Sequence, residues 1–262
     1  MELIIISSVA LFVAALTFFS GFGLGTLLMP AFALFFPVEI AVAATAIVHL
    51  ANNIYKGILM GKYANLKIIV LFTIPAGFAA ILGAYLLNYV SHLSAIFNYT
   101  ISEKEFIVTP VNITIGILMI LFSLFELNPF LKKIKLNNKI IPIGGLLSGF
   151  FGGISGHQGA LRTAFLSHAG LEKKSFIGTM VISAIVIDLV RLFIYGITFL
   201  KFDNKIFHTN ELQSLLIVGT VSAFIGTTVG KYLLEKVTFD TIHTVIGIML
   251  MFLGIAIAIG LI

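Results

Sequence analysis

Apolar runs of about 20 residues, long enough to cross a bilayer core as a helix, recur along this chain from end to end. The chain has 262 residues, of which 59% are hydrophobic and 10% are charged. A soluble domain needs more polar residues than this to cover its surface. The sequence therefore predicts an all-α polytopic membrane protein, with the lipid bilayer as its main partner.

Breaks between the apolar runs divide the chain into ten predicted segments, too closely spaced to leave room for a globular extramembrane domain. They are 3–19, 21–36, 40–61, 67–90, 107–127, 140–154, 156–170, 175–200, 212–234 and 241–261. The N-terminal run carries Glu2 and no basic region, which predicts a retained first helix rather than a cleaved signal peptide. The chain has no cysteine, which excludes disulfides and cysteine-based metal sites.

Short motifs of the first half return in the second. IGILM at 115–119 corresponds to IGIML at 246–250, and GAYLL at 83–87 corresponds to GKYLL at 230–234. SGFGLG, which begins at Ser20, has counterparts in SGFFGG and SGHQG. Such a duplication predicts a transporter built from two transmembrane repeats, residues 1–127 and 140–262, joined by a basic cytoplasmic linker at 128–139.

Lysines are distributed unevenly between the two sides of the predicted membrane domain. If all ten segments cross, one side collects ten lysines and the other only Lys104, Lys201 and Lys205. The positive-inside rule makes the lysine-rich side cytoplasmic and places both termini outside the inner or plasma membrane. The net charge of +5 therefore reflects membrane orientation, and no nucleic acid is expected as a partner.

The first two segments of each half could also form a re-entrant hairpin instead of crossing the membrane. The longer loops then stay on the same sides as before. Each half has an odd number of crossings in either case, so the two repeats are predicted to have inverted topology.

Residues 150–170 interrupt the apolar pattern with glycines, histidines, Gln158 and Arg162. The segment 156–170 is too short to cross the bilayer as a helix, and glycines loosen the backbone before it. We expect a broken helix that lines a protein-walled cavity. Gly21, Gly23 and Gly25 form the equivalent break in the first half. Each half is thus predicted to contain a Gly-rich broken or re-entrant helical hairpin followed by three spanning helices.

Two helices that begin inside the membrane offer unpaired N–H groups and partial positive charge, which suit an anion. Arg162 would add a full charge and a planar donor fork. In the structural alternative, the glycines only permit close helix packing and Arg162 extends to the headgroups.

Two other predicted helices carry polar residues. Thr45, His49, Asn52, Asn53 and Lys56 fall on one helical face. They predict either part of the site or a hydrogen-bonded seam whose Lys56 reaches the cytoplasmic surface.

Asp188 and Arg191 stand three residues apart and can pair on one helix. Such a pair either fixes the packing of buried helices or couples transport to protons or cations.

The order of these motifs resembles the sulfite exporter TauE/SafE family over almost the whole chain. The matching stretches are SGFGLGTLLMPAFALFF, TAIVHLANNIYKG, GGLLSGFFGGISGHQGALRTAFL, LEKKSFIGT and the helix that carries Asp188. The resemblance implies a permease that moves small sulfur-containing anions such as sulfite, sulfoacetate or thiosulfate. Leu24 and Thr26 interrupt the family's usual first-half glycine pattern, and His157 and Gln158 stand where small residues or proline are usual.

The leading hypothesis is a secondary transporter, an exporter of these anions that works by alternating access and uses no cofactor and no metal. Protons are a candidate coupling ion, carried by Asp188 or a histidine, and a homodimer is a candidate assembly. The predicted substrate-binding residues are Gly21, Gly23, Gly25, His49, Asn52, Asn53, Gly153, Ser155, Gly156, His157, Gln158, Gly159 and Arg162.

Two alternatives belong to other classes of protein. The GxSG motif at 153–156 is that of rhomboid-type serine proteases, although a histidine on a later helix would have to face Ser155. A cation or metal permease could use His49, His157, His168 and Asp188. Arg162 and Arg191 argue against it, because fixed positive charge repels cations.

Overall fold

A computed structural model describes residues 1–18, 23–128, 138–198, 207, 209–233 and 239–262. The part of the chain so described contains ten α-helices and is 81% helical, which confirms the predicted all-α polytopic class. The helices are α1 Glu2–Leu16, α2 Leu24–Ala33, α3 Val38–Met60, α4 Leu66–Ser91, α5 Pro110–Leu127, α6 Ile141–Ser155, α7 Gly159–Leu166, α8 Lys173–Ile197, α9 Asn210–Leu233 and α10 Phe239–Ala258. Two 3-10 turns, Gly61–Tyr63 and Asn138–Ile140, and two strands, β1 Phe97–Ile101 and β2 Lys104–Val108, complete the described elements.

Five helices are long and apolar enough to cross a membrane. They are α3 with its following turn, α4, α5, α8 and α9, each with 18 to 26 residues. Glycine and proline inside several of them are tolerated because neighbouring helices shield the backbone.

The helices α1, α2, α6 and α7 are shorter, with 15, 10, 15 and 8 residues. At 1.5 Å per residue they span about 22, 15, 22 and 12 Å, less than the roughly 30 Å of a bilayer core. The break between α6 and α7 falls at Gly156, whose φ of 78° lies in the left-handed region. Gly23, with φ of 119°, precedes α2. Of the predicted first-half break, Gly21 lies outside the described residues.

The most extensive helix pairings are α4 with α6, α1 with α9, α5 with α10, and α3 with α8. If α1–α5 are matched in order to α6–α10, exchanging the two halves turns the α4–α6 pair into the α1–α9 pair. The same exchange leaves the α5–α10 and α3–α8 pairs as they are, so the set of pairings is unchanged. The main apolar core joins α1, α2 and α3 to α5, α9 and α10, and a smaller one lies between α4, α6 and α8.

Glycines allow the α4–α6 and α1–α9 pairs to approach closely. A Cβ added to Gly83, in GAYLL, would lie 2.1 Å from the carbonyl oxygen of Phe150. A Cβ added to Gly230, in GKYLL, would lie 2.4 Å from that of Ala15. The repeated motif therefore has the same packing role in both halves, as small residues do at membrane helix interfaces.

A β-hairpin was not expected between α4 and α5, where the sequence predicted a polar connection followed by a helical segment from residue 107. The two strands pair in antiparallel register, with Tyr99 opposite Phe106. Ser102 and Glu103 turn the chain with φ of 48° and 70°. The hairpin escaped prediction because Ser-Glu is not among the glycine- or asparagine-containing pairs that usually mark such turns.

Candidate functional site

A carboxylate on α8 is the centre of a buried polar cluster. Asp188 is fully buried, and its Oδ2 lies 2.6 Å from Nδ1 of His49 on α3. Its Oδ1 accepts a hydrogen bond from Nε of Arg191 at 3.0 Å and lies 2.8 Å from Nη2 of the same guanidinium. The two residues three apart on α8 thus form an ion pair, as their spacing permits.

The break between α6 and α7 contributes to the same cluster. Gln158 donates from Nε2 to Oδ1 of Asp188 at 3.0 Å. The backbone carbonyl of Gln158 accepts a hydrogen bond from Ser148 Oγ at 3.0 Å. Asn53 donates to Oδ2 of Asp188 at 3.4 Å. Asp188 therefore links α3, α8 and the glycine break.

The polar face of α3 is buried along its whole length. Asn52 accepts a hydrogen bond of 2.7 Å from Thr227 on α9. Lys56 is only 5% exposed, with Nζ lying 5.8 Å from the ring centroid of Phe18. The alternative in which Lys56 reaches the cytoplasmic surface is therefore wrong.

Arg162 on α7 is 1% exposed, so its guanidinium lies inside the protein and not at the headgroups. It interacts electrostatically with Lys56, Asp188 and Arg191. The helix α7 also packs on α8, which carries Asp188 and Arg191.

The two glycine breaks meet at this cluster. A Cβ on Gly25, in the first turn of α2, would lie 3.4 Å from the carbonyl oxygen of Gly156 and 3.4 Å from His49. A Cβ on Gly156 would lie 2.7 Å from a guanidinium nitrogen of Arg191. The start of α2 and the turn after α6 thus reach one point from different parts of the chain.

Other predicted residues of the breaks have different surroundings. Gly23 faces Thr17 and Ile246, while Gly153 packs against the backbone of α4 and Gly159 begins α7.

The ring of His157 is also turned away from Asp188. It stacks on Phe122 at 5.9 Å, and its Nδ1 lies 3.0 Å from the Ser155 carbonyl oxygen.

Two cavities lie near these residues. The smaller has a volume of about 10 Å³ and borders Thr17, Leu24, His49, Asn52, Asn53, Lys56 and Val181. That is room for roughly one water molecule. The larger, about 280 Å³, lies between α1, α2 and α10 and is walled by apolar side chains with only Ser8 and Thr17 as hydroxyls. An anion needs several donors, so the smaller, polar cavity is the candidate binding site.

The alternative chemistries find no support in the described residues. No group of three or more histidine, aspartate or glutamate side chains there could hold a metal ion. Ser155 Oγ donates to the carbonyl of Phe151 at 3.0 Å, and in the described region its contact with His157 is to the backbone N–H and not to the ring. This arrangement lacks the serine–histidine pair of a protease.

Several buried participants were absent from the predicted site. Lys56 belonged to the polar face of α3, and its spacing of seven residues from His49 could have placed it in the site. Thr227 and Tyr195 had no such signal, because their partners, Asn52 and the carbonyl of Gly153, are distant in sequence.

Comparison with known proteins identifies the family of this chain. The family model for the sulfite exporter TauE/SafE matches residues 6–257. No curated protein and no solved structure matches the chain. Because the family match spans nearly the whole chain, this protein belongs to the sulfite exporter TauE/SafE family, which comprises membrane transporters of sulfite-like anions and not enzymes.

Proposed function

We propose that this protein exports a small sulfur-containing anion, such as sulfite, sulfoacetate or thiosulfate, and binds it in the small polar cavity beside Lys56, where Arg162 on α7 adds positive charge. The observation that carries the proposal is a group of buried cationic side chains. Lys56, Arg162 and Arg191 are all buried, as is the Asp188 carboxylate. Opposite charges attract more strongly in a buried site than in water, so these side chains would stabilise an anionic substrate.

The donors around the polar cavity suit an oxyanion. The Lys56 ammonium and the amides of Asn52 and Asn53 can each donate to a sulfite or thiosulfate oxygen. Leu24, the first residue of α2, also borders the cavity, so the positive end of that helix dipole faces the same space. These groups favour a small anion over a cation.

The size of the cavity supports a mechanism of alternating access. A volume of about 10 Å³ holds roughly one water molecule, so it is too small for sulfite and for the larger thiosulfate and sulfoacetate. The cavity must therefore widen for binding and release, and the breaks at Gly23 and Gly156 are the proposed hinges. Motion there would change the Gln158 contact with Asp188, linking the hinge to the polar cluster.

The coupling ion in this mechanism is a proton carried by Asp188 and His49. The two side chains are hydrogen-bonded at 2.6 Å, and His49 borders the cavity that receives the anion. Proton movement through this pair would accompany transport of the anion across the membrane.

The repeat organisation stays part of the proposal. Two inverted halves, residues 1–127 and 140–262, are supported by the helix pairings that survive exchange of the halves. The basic linker was predicted at 128–139, of which 129–137 lies outside the described residues. Extracytoplasmic termini and a homodimer remain predictions.

The test is binding followed by transport. Purified protein is screened by thermal shift against sulfite, thiosulfate, sulfate, sulfoacetate, taurine, zinc and nickel. Binding to the folded state at a ligand concentration of about 100 times Kd should add roughly 2.7 kcal/mol of stability. We expect one sulfur oxyanion to stabilise the protein, and that anion to be exported from loaded proteoliposomes.

The variants Arg162→Gln and Lys56→Gln should lose this stabilisation and the flux. Lys62→Gln is the matched control, because Lys62 is exposed in the turn after α3. Stabilisation by metals alone, or by anions equally well in both site variants, would contradict the anion site and favour the cation permease.

A further inference from the structure

The β-hairpin between α4 and α5 has two chemically different faces. Phe97, Tyr99, Ile101, Phe106 and Val108 share one face because side chains alternate along each strand. This apolar face also carries Lys104 near the turn, with Nζ 5.2 Å from the centroid of the Phe106 ring.

The opposite face is mainly polar. Asn98, Thr100 and Glu105 lie on it together with one apolar residue, Ile107, and Asn98 donates to the Glu105 carboxylate at 3.0 Å.

The hairpin is attached to the ends of two helices, α5 and α10. Thr109 alone separates β2 from α5, which is long enough to cross the membrane. On the other side, the Tyr99 hydroxyl donates at 2.6 Å to the carbonyl of Ile259, one residue beyond α10. Because both attachments are to helix ends, the hairpin cannot extend far into the aqueous phase from its base.

The apolar face is only partly covered by the protein. Val108 is buried, whereas Phe97 and Ile101 are 53% and 54% exposed. The rings of Tyr99 and Phe106 stack at 5.3 Å between these two positions. Large apolar and aromatic side chains at the ends of spanning helices are stabilised at the boundary between headgroups and acyl chains.

We propose that the hairpin lies along the membrane surface and inserts the exposed edge of its apolar face, Phe97 and Ile101, into the headgroup–acyl boundary of the bilayer. Lipid is the expected partner because α5, which is long enough to cross a membrane, begins two residues after β2 ends, and this brings the base of the hairpin to the membrane surface. Lys104, near the turn, would reach lipid phosphates while its stem covers the Phe106 ring. This inference is independent of the transported substrate.

The chain contains no tryptophan, so a single introduced tryptophan reports on one position without background. Phe97→Trp and Ile101→Trp probe the apolar face, and Thr100→Trp on the polar face is the matched control. Each full-length variant is reconstituted into phosphatidylcholine vesicles, with or without lipid brominated on the acyl carbons nearest the headgroup. Acrylamide serves as the aqueous quencher, and circular dichroism confirms folding.

We expect brominated lipid to quench Phe97→Trp and Ile101→Trp at least about twofold more than Thr100→Trp, and acrylamide to show the reverse order, because the two faces meet different solvents. Equal quenching of both faces would overturn the proposal. So would quenching of Ile101→Trp by acrylamide alone, which would mean that the hairpin stands away from the bilayer. Protection of both apolar-face positions from both quenchers would indicate a protein partner such as a second copy, and would also overturn it.

Discussion

A close contact between α4 and α6 makes a direct stability prediction for Gly83→Ala. Gly83 lies on α4 against the backbone of α6. The added Cβ would lie 2.1 Å from the carbonyl oxygen of Phe150, 3.0 Å from the amide nitrogen of Ile154 and 3.1 Å from Cα of Gly153. All three contacts are with backbone atoms, so no side-chain rotation can relieve them.

The magnitude follows from these distances. Ordinary van der Waals contacts of a Cβ begin near 3.4 Å, so the two helices must separate by more than an ångström or bend locally. Overpacking of this kind typically costs 1–3 kcal/mol, and replacing a helical glycine by alanine returns about 1 kcal/mol of helix propensity. Because α4 and α6 touch at further glycines, the separation also weakens neighbouring contacts. Subtracting the gain in helix propensity from the cost of overpacking leaves a net loss of about 0–2 kcal/mol, and we expect a value near the upper end, about 2 kcal/mol.

Gly77→Ala on the same helix is the matched control. A Cβ at Gly77 would meet nothing within 4 Å, so alanine there should stabilise the protein by up to about 1 kcal/mol through helix propensity alone. Thermal unfolding of both variants in one detergent, followed by circular dichroism, measures the difference. At about 2–4 °C per kcal/mol, Gly83→Ala should melt roughly 4–8 °C below wild type and Gly77→Ala slightly above it. If Gly83→Ala melts at or above Gly77→Ala, the close approach of α4 and α6 is refuted.

Three further predictions concern buried charge and the glycine break. Asp188→Asn leaves Arg191 without its carboxylate and should lower the free energy of unfolding by about 3–5 kcal/mol. Combined with Arg191→Met, it should cost less than the two single changes together, and additive losses in a thermal double-mutant cycle would contradict the pairing. Gly156→Ala, with φ of 78° and a Cβ 2.7 Å from Arg191, should lose about 1–2 kcal/mol and slow sulfite efflux from proteoliposomes; unchanged efflux would argue against a hinge there. Glu126→Gln weakens the contact between the Glu126 carboxylate on α5 and His243 on α10, and it should lower the melting temperature but leave the sulfite-induced shift intact. Loss of that shift would place this contact in the anion path.

Helical periodicity made part of the candidate site predictable. His49, Asn52, Asn53 and Lys56 repeat at intervals of three and four residues, so any helix through them places them on one face. The i,i+3 spacing of Asp188 and Arg191 is local in the same sense. What periodicity could not supply is the partner across the interface: the 2.6 Å contact joins His49 to a residue 139 positions away.

The glycines show where sequence reasoning stops. In the sequence, Gly153 and Gly156 look like equal members of one flexible stretch. In the structure, Gly153 lies against the carbonyl of Ala80 and serves helix packing, whereas Gly156 adopts a left-handed φ and turns the chain. A missing Cβ satisfies both requirements, so the residue type cannot distinguish them. The packing alternative is thus correct for Gly153 and does not account for the conformation of Gly156.

The carboxylate at the centre of a proposed anion site needs a physical reason. Asp188 opposes an approaching anion, yet it also pairs with Arg191, accepts from Gln158 and bonds to His49. In the proposed mechanism this pairing neutralises Arg191, while Lys56 and Arg162 attract the substrate. A site with all three cations uncompensated would bind an anion tightly, and a transporter must also release it. A fixed negative charge behind the cationic residues would weaken binding enough for release, while the donors lining the cavity would still select an anion.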